Sequence, residues 1–141
     1  MYKSKRKKMD ENYYDISRLQ FDKYFENLSV KYKYYIMGLL EILSTKIQFT
    51  LKKLSTQFHI LKGTEPFAAF GFRKRRTDCY YFVEFYSKFD IDDIRIIKKT
   101  IKEIVVGNKK VKYIINLIKI QDDEKIDNQI INWIEEGYKL I

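Results

Sequence analysis

The residues of this sequence best suited to chemistry are cations, and their densest cluster is the run Arg73, Lys74, Arg75 and Arg76. The run holds three of the six arginines of a chain in which lysine outnumbers arginine 22 to 6. Arginine presents a planar fork of N–H donors that can bind one phosphate through two hydrogen bonds. The cluster therefore predicts a site that contacts phosphate groups.

The remaining positive charge is unevenly distributed along the chain, whose formal net charge is +9. Basic residues dominate the beginning and the middle, whereas residues 121–141 are acidic. A basic surface attracts polyanions, so we expect nucleic acid as a partner. The abundance of lysine and isoleucine also fits an AT-rich coding sequence, which would raise the charge without any function. The predicted nucleic-acid-binding residues are Arg73, Lys74, Arg75, Arg76, Lys98, Lys99, Lys109, Lys110, Lys5, Arg6, Lys7 and Lys8.

Two groups of side chains suggest catalysis, and both are weak. Cys79 and His59 are the only thiol and imidazole of the chain, and each lies among apolar residues, which is more typical of packing. Asp78, Glu84 and Lys88 would suit a metal-dependent hydrolase. However, Glu84 and Lys88 are four residues apart, whereas restriction-type nucleases place these groups two residues apart. We therefore predict no catalytic residues, no metal site and no cofactor, and we favour a protein that is not an enzyme.

An aromatic segment at 80–86 predicts a strand with two different faces. Alternation places Tyr81, Val83 and Phe85 on one face, where they can meet a core. Tyr80, Phe82, Glu84 and Tyr86 then lie on the other face. The segment partly resembles the strand on which RNA-recognition motifs stack bases.

The rest of the chain predicts elements that would position these side chains. No uncharged run is longer than eight residues (54–61), so we expect no membrane span, no signal peptide and a soluble, cytoplasmic protein. Residues 1–12 predict a disordered basic arm, and residues 13–141 a single compact domain. Apolar spacing predicts helices over 17–28, 30–47, 91–104 and the last residues to 141. Strands are predicted over 58–61, 67–75, 79–86 and 112–120. This is an α+β fold with about four mainly antiparallel strands and flanking helices.

The segment 126–138 is similar to the closing helix of a small prokaryotic domain of unknown function. That domain occurs alone or C-terminal to restriction-type endonuclease and other modules, and it is sometimes labelled a predicted transport protein. The pair Phe67-Ala68 and the basic turn at 72–75 resemble the same domain, and the resemblance covers about residues 30–141. It implies an α+β fold and an association with restriction or phage defence, and it supplies no catalytic residue. Gly137 departs from the pattern, in which alanine is expected.

Three functional hypotheses follow, in order of preference. The first is a non-enzymatic basic module that binds nucleic acid through phosphate contacts, linked to restriction or phage defence. The second is a protein-interaction or regulatory partner of a nuclease, which would use the acidic final helix or the aromatic strand. The third is a metal-dependent hydrolase.

Overall fold

The computed structural model describes residues 13–14, 29–55, 57–74, 77–121 and 125–141. Their elements, in chain order, are β1 (Tyr13–Tyr14), α1 (Val30–Ser44), β2 (Thr50–Lys53), β3 (Gln57–Lys62), β4 (Glu65–Lys74), β5 (Cys79–Ser87), β6 (Ile96–Val106), β7 (Lys109–Ile120) and α2 (Asn128–Leu140). The strands form one antiparallel sheet in the order β1-β2-β3-β4-β5-β7-β6. Both helices pack on the same side of it, so this part of the chain is a single α+β domain.

Two hairpins of the sheet turn at a glycine with positive φ. Gly63 (φ 62°) begins the two-residue turn between Lys62 and Glu65, which pair across β3 and β4. Gly107 (φ 64°) begins the corresponding turn between β6 and β7. Residues with a Cβ are strained at such angles, and two-residue turns of this kind match the twist of the strands that they join. The two glycines therefore help to set the register of the sheet.

Helix α1 begins at a serine cap and is tied to the centre of the sheet. The Ser29 hydroxyl accepts a hydrogen bond from the backbone N–H of Tyr32 at 3.2 Å, which satisfies one free donor of the first turn. The Tyr32 hydroxyl donates to the backbone carbonyl of Phe82 at 2.8 Å. Burial raises the pKa of Tyr32, so its hydroxyl remains a donor. The buried side of α1 consists of Tyr32, Tyr35, Ile36, Leu39, Leu40 and Leu43.

Strand β5 divides the apolar residues of the domain between the two faces of the sheet. Val83 and Phe85 belong to the main core, together with the buried sides of both helices. Tyr80 and Phe82 form a second cluster with Leu117 on the opposite face. This division agrees with the alternation that the sequence predicts for β5.

Helix α2 begins at Asp127, which combines a cap with an ion pair. The Asp127 carboxylate accepts from the backbone N–H of Gln129 at 2.7 Å and from the Arg95 guanidinium at 2.5 Å. Arg95 also lies over the ring of Trp133, at 5.3 Å from its centre. Trp133 in turn stacks on Phe85, with 4.9 Å between the ring centres. The start of α2 is thus held against both the β5–β6 connection and the core.

The last turns of α2 approach the sheet closely enough to require glycine. A Cβ at Gly137 would lie 2.9 Å from the backbone oxygen of Tyr86 and 3.3 Å from that of Phe67. These distances are shorter than ordinary carbon–oxygen contacts. Packing against the strand backbone therefore explains why this position is a glycine.

The structure corrects two predictions about the sheet. About four strands are predicted, whereas the described residues form seven, because β1, β2 and β6 fall outside the predicted strands. The predicted helix over 91–104 is wrong, since Ile96–Val106 is strand β6. Isoleucine recurs there at helical spacing, but the segment is dense in β-branched residues, and these favour a strand when a partner is available. That partner is β7, to which Gly107 and Asn108 connect it as a hairpin turn.

Three further predictions concern residues outside the described ranges. They are the disordered basic arm over 1–12, the short helix over 17–28 and the contact residues Arg75 and Arg76. The predicted helix over 30–47 and the predicted final helix are confirmed as α1 and α2.

Candidate nucleic-acid interface

A continuous row of side chains crosses the sheet on the face opposite to the two described helices. Directly opposite residues of antiparallel strands lie on the same face, so register alone defines the row. Read from β2 to β6, with each member opposite the next, the row is Lys52, His59, Ala69, Glu84, Leu117 and Lys98. It therefore begins and ends in a lysine.

Two further cations lie on this face, each over an aromatic ring. The Arg73 guanidinium lies 5.5 Å from the centre of the Phe82 ring, and the Lys119 ammonium lies 5.7 Å from that of Tyr80. The face of an aromatic ring attracts a cation, so these contacts help to hold the charges in place. Phe82 is only 1% exposed and Tyr80 8%, which leaves these rings too buried to stack on bases. A ligand would meet the cations rather than the rings.

Lys102 extends the same face along β6. It lies four residues after Lys98 and therefore on the same side of the strand. Its ammonium donates to the Tyr86 hydroxyl at 3.2 Å and lies 5.5 Å from the centre of the Tyr86 ring. We call the cations of this surface, together with the two titratable groups between them, the basic face. Its members are Lys52, Arg73, Lys98, Lys102 and Lys119, with His59 and Glu84.

The pKa values of the two groups inside the basic face reflect partial burial among cations. Burial raises the pKa of Glu84, and the charges of Arg73 and Lys98 oppose that rise. Burial lowers the pKa of His59, and the charges of Lys52 and Lys102 lower it further. His59 is therefore neutral at pH 7, and the positive charge of this face comes from lysine and arginine.

Among the described residues, few carboxylates lie near Arg73, Lys98, Lys102 and Lys119. Asp78 lies 4.0 Å from the Lys119 ammonium, at the limit of an ion pair. Within the described ranges, no salt bridge includes Arg73, Lys98 or Lys102. The described carboxylates therefore leave these three cations without an ion pair.

The structure brings two of the predicted contact residues, Arg73 and Lys98, onto the basic face. Lys74 follows Arg73 in β4, so alternation directs it to the other face of the sheet. Lys99 is likewise directed to the other side of β6, where its ammonium donates to the Asp90 carboxylate at 2.5 Å. Neighbours in the sequence therefore lie on opposite faces.

Lys109 and Lys110 lie at the far end of the β6–β7 hairpin. Lys110 lies nine positions before Lys119 in β7, which corresponds to about 30 Å of extended strand. The Lys110 ammonium lies 3.8 Å from the Glu103 carboxylate. The structure thus separates this predicted pair from Arg73 and Lys98. The other predicted contact residues, Arg75, Arg76, Lys5, Arg6, Lys7 and Lys8, lie outside the described ranges.

Sequence reasoning missed Lys52, Lys102 and Lys119 as members of this face. Lys119 lies between two isoleucines, Lys102 beside Glu103 and Lys52 beside Lys53, so none of them stands in a cluster as dense as that at 73–76. Alternation within 112–120 does place Lys119 with Leu117. Only the pairing of β7 with β5 and β6 shows which other cations share that side.

The groups considered for catalysis do not converge in the structure. Asp78 precedes β5 and Glu84 lies six residues further on, about 20 Å along an extended strand. Cys79, the first residue of β5, pairs with Lys74 of β4, whereas His59 pairs with Ala69. These two positions of β4 are five residues apart, which corresponds to about 17 Å. A nucleophile and its base must lie within hydrogen-bond reach, so this pair does not form such a site. In the described part of the chain, no three histidine, cysteine or acidic residues could hold a metal ion.

Comparison with other proteins adds no family to these observations. No protein-family model matches this chain, and no curated protein or solved structure matches it either. Neither of the described helices is long and apolar enough to cross a membrane.

Proposed function

We propose that this chain is a non-enzymatic module that binds nucleic acid through its phosphate groups, with the basic face as the contact surface. The observation that carries the proposal is the presence of five lysine and arginine side chains on the sheet face opposite to the helices. Among the described residues, Asp78 lies near Lys119, and Glu84 lies near Arg73 and Lys98, so these three cations outnumber the two carboxylates. A nucleic acid backbone presents a series of phosphates that can contact several such cations at once.

The type of contact follows from what lies at the surface. Arg73 can bind a phosphate with its planar fork, whereas Lys98 and Lys119 act as point charges. Since Phe82 and Tyr80 are buried and each has a cation over its ring, contacts with phosphates predominate over contacts with bases. Binding should therefore depend strongly on salt and weakly on base sequence.

The test is a titration of labelled duplex and single-stranded oligonucleotides, followed by fluorescence anisotropy at several salt concentrations. The triple variant Arg73→Gln, Lys98→Gln, Lys119→Gln removes three charges and retains much of the side-chain length over Phe82 and Tyr80. Each phosphate contact contributes about 0.9 to the slope of log K against log salt for a duplex. We expect the magnitude of that slope to fall by up to about 2.7 in the triple variant, with a corresponding loss of affinity.

The control variant removes the same charge from elsewhere in the molecule. Lys31, Lys46 and Lys125 are exposed and lie outside the sheet, so their joint replacement by glutamine lowers the net charge equally. We expect this control to keep most of the affinity. Undiminished binding by the triple variant, or equal losses in the two variants, would contradict the basic face as the contact surface.

A further inference from the structure

Strand β6 forms one edge of the sheet in the described part of the chain, and its apolar side chains are unusually exposed. Seven large apolar side chains are exposed among the described residues, and five of them lie in the segment 89–105. On β6 itself the exposed fractions are 50% for Ile97, 73% for Ile101 and 65% for Val105. An edge strand of eleven residues also offers unpaired N–H and C=O groups. This edge is suited to pairing with another strand.

The sequence of β6 is complementary to itself when a second copy runs antiparallel about Ile101. Ile101 then lies opposite Ile101 of the second copy, and Lys99 of each chain lies opposite Glu103 of the other. Lys99, Ile101 and Glu103 are every second residue and therefore lie on the same side of the strand, so all these contacts form together. Towards the ends of the pairing, Val105 lies opposite Ile97. Apolar residues therefore meet apolar residues, and opposite charges meet, which is the favourable arrangement for cross-strand pairs.

Neighbouring registers lack this complementarity. A shift of two residues places Ile101 opposite either Lys99 or Glu103, so that an apolar side chain faces a charge. A shift of one residue places Ile101 opposite Thr100 or Lys102, so that the helix side of one copy would join the basic face of the other. Charge and burial therefore both select the register centred on Ile101.

From this complementarity we propose that two copies of this chain associate through antiparallel pairing of β6, which makes one sheet continuous across both copies. Lysines and bulges commonly protect edge strands from such pairing. In β6 the irregularity lies at the beginning, between Ile96 and Lys98, and the remainder is in regular register. Lys98 and Lys102 of the two copies repel each other on the basic face, so the dimer is reversible and depends on protein concentration.

The test is the molar mass in solution, without nucleic acid, as a function of protein concentration. The wild-type mass should rise from 17.2 kDa towards twice that value. Lys99→Glu alone and Glu103→Lys alone should each remain monomeric, because like charges then meet twice across the dyad. An equimolar mixture of the two variants should recover the dimer, because every charge again faces its opposite. Each variant also loses a contact within its own chain, to Asp90 or Lys110, which mixing does not restore.

A cross-linking experiment supplies a second measurement that does not alter the charges. Directly opposite residues of antiparallel strands have Cα atoms about 4.5–5.5 Å apart, within the range of a disulfide. In a Cys79→Ser background, Ile101→Cys should therefore form a disulfide-linked dimer upon mild oxidation. Val105→Cys is the control, because its two copies would lie about 27 Å apart along the strands.

Several results would overturn the proposal. They are a wild-type mass that stays at 17.2 kDa at all concentrations, single charge variants as dimeric as the wild type, or a mixture that remains monomeric. Fluorescence of Trp133 checks that each variant is folded. If a charge variant does not fold, the cross-linking result decides, and equal cross-linking at positions 101 and 105 contradicts the register.

Discussion

Replacement of Gly137 by alanine tests how closely α2 packs on the sheet. The added Cβ would lie 2.9 Å from the backbone oxygen of Tyr86 and 3.3 Å from that of Phe67. Both oxygens belong to the backbone of paired strands and cannot rotate away from the new methyl group. The helix would have to move outward by several tenths of an ångström, which would loosen the stacking of Trp133 on Phe85.

Two opposing effects determine the size of the change in stability. Alanine in place of glycine within a helix is favourable by about 1 kcal/mol. Overpacking of a close interface costs about 1–3 kcal/mol. We therefore expect Gly137→Ala to lower the free energy of unfolding by about 1 kcal/mol.

Gly38→Ala is the matched control, because Gly38 also lies inside a helix. A Cβ there would contact the Cδ1 atom of Ile126, which is the end of a flexible side chain. A change of rotamer by Ile126 costs about 0.5–1.5 kcal/mol at most, comparable with the gain in helix propensity. We expect this variant to be neutral or slightly more stable than the wild type.

The assay is urea denaturation followed by the fluorescence of Trp133, the only tryptophan of the chain. With a typical denaturant dependence of about 2 kcal/mol per molar urea, a loss of 1 kcal/mol lowers the midpoint by about 0.5 M. A Gly137→Ala midpoint at or above that of Gly38→Ala would refute the reasoning. Helix propensity would then outweigh any contact with the strand backbone.

Three further predictions concern titratable groups and the start of α2. Asp127→Ala should lower the free energy of unfolding by about 1 kcal/mol in the same assay, because it removes the helix cap; an unchanged midpoint would contradict that role. Hydrogen bonds from Arg95 lower the pKa of Asp93. The pKa of Asp127 is lowered mainly by the hydrogen bond from the backbone N–H of Gln129 and to a smaller extent by Arg95. The contribution of these two carboxylates to stability is therefore present above about pH 4 and is lost as the pH falls through their folded-state pKa values. The urea midpoint of Arg95→Gln should therefore fall less between pH 7 and acidic pH than that of the wild type. Burial raises the pKa of Glu84, so folding favours the protonated carboxyl. Its contribution to stability is present at low pH and is lost as the pH rises through the folded-state pKa. Glu84→Gln should therefore be more stable at pH 7, and it should bind oligonucleotides about twofold to fivefold more tightly in the anisotropy assay, since one charge near the surface contributes about 0.5–1 kcal/mol.

The elements that could be predicted from the sequence are those with a local signal. The apolar spacing over 30–47 predicts α1, and alternation in the aromatic segment correctly separates Val83 and Phe85 from Tyr80 and Phe82. Strand β6 could not be predicted by spacing, because isoleucine at intervals of three and four residues fits a helix equally well. The hairpin turn at Gly107 was the available signal, since a glycine-asparagine pair between two β-branched runs is typical of a two-residue turn.

The candidate site could be predicted only in part, for a related reason. The Arg73 cluster is visible in the sequence because its members are adjacent. Adjacency is misleading within a strand, however, since Lys74 and Lys99 lie on the opposite face from Arg73 and Lys98. Lys119 is flanked by isoleucines and stands apart from the other lysines of β7, and its pairing with Phe82 places it on the basic face.

The sequence by itself determined the α+β class, the positions of both described helices, the two-sided character of β5 and the excess of positive charge. These properties depend on composition and on the spacing of residues close together in the chain. The tertiary structure alone decided which cations share a surface and which strand is left at the edge. Both depend on the register between strands, which is set by contacts between residues far apart in the sequence, and a local pattern carries no information about them.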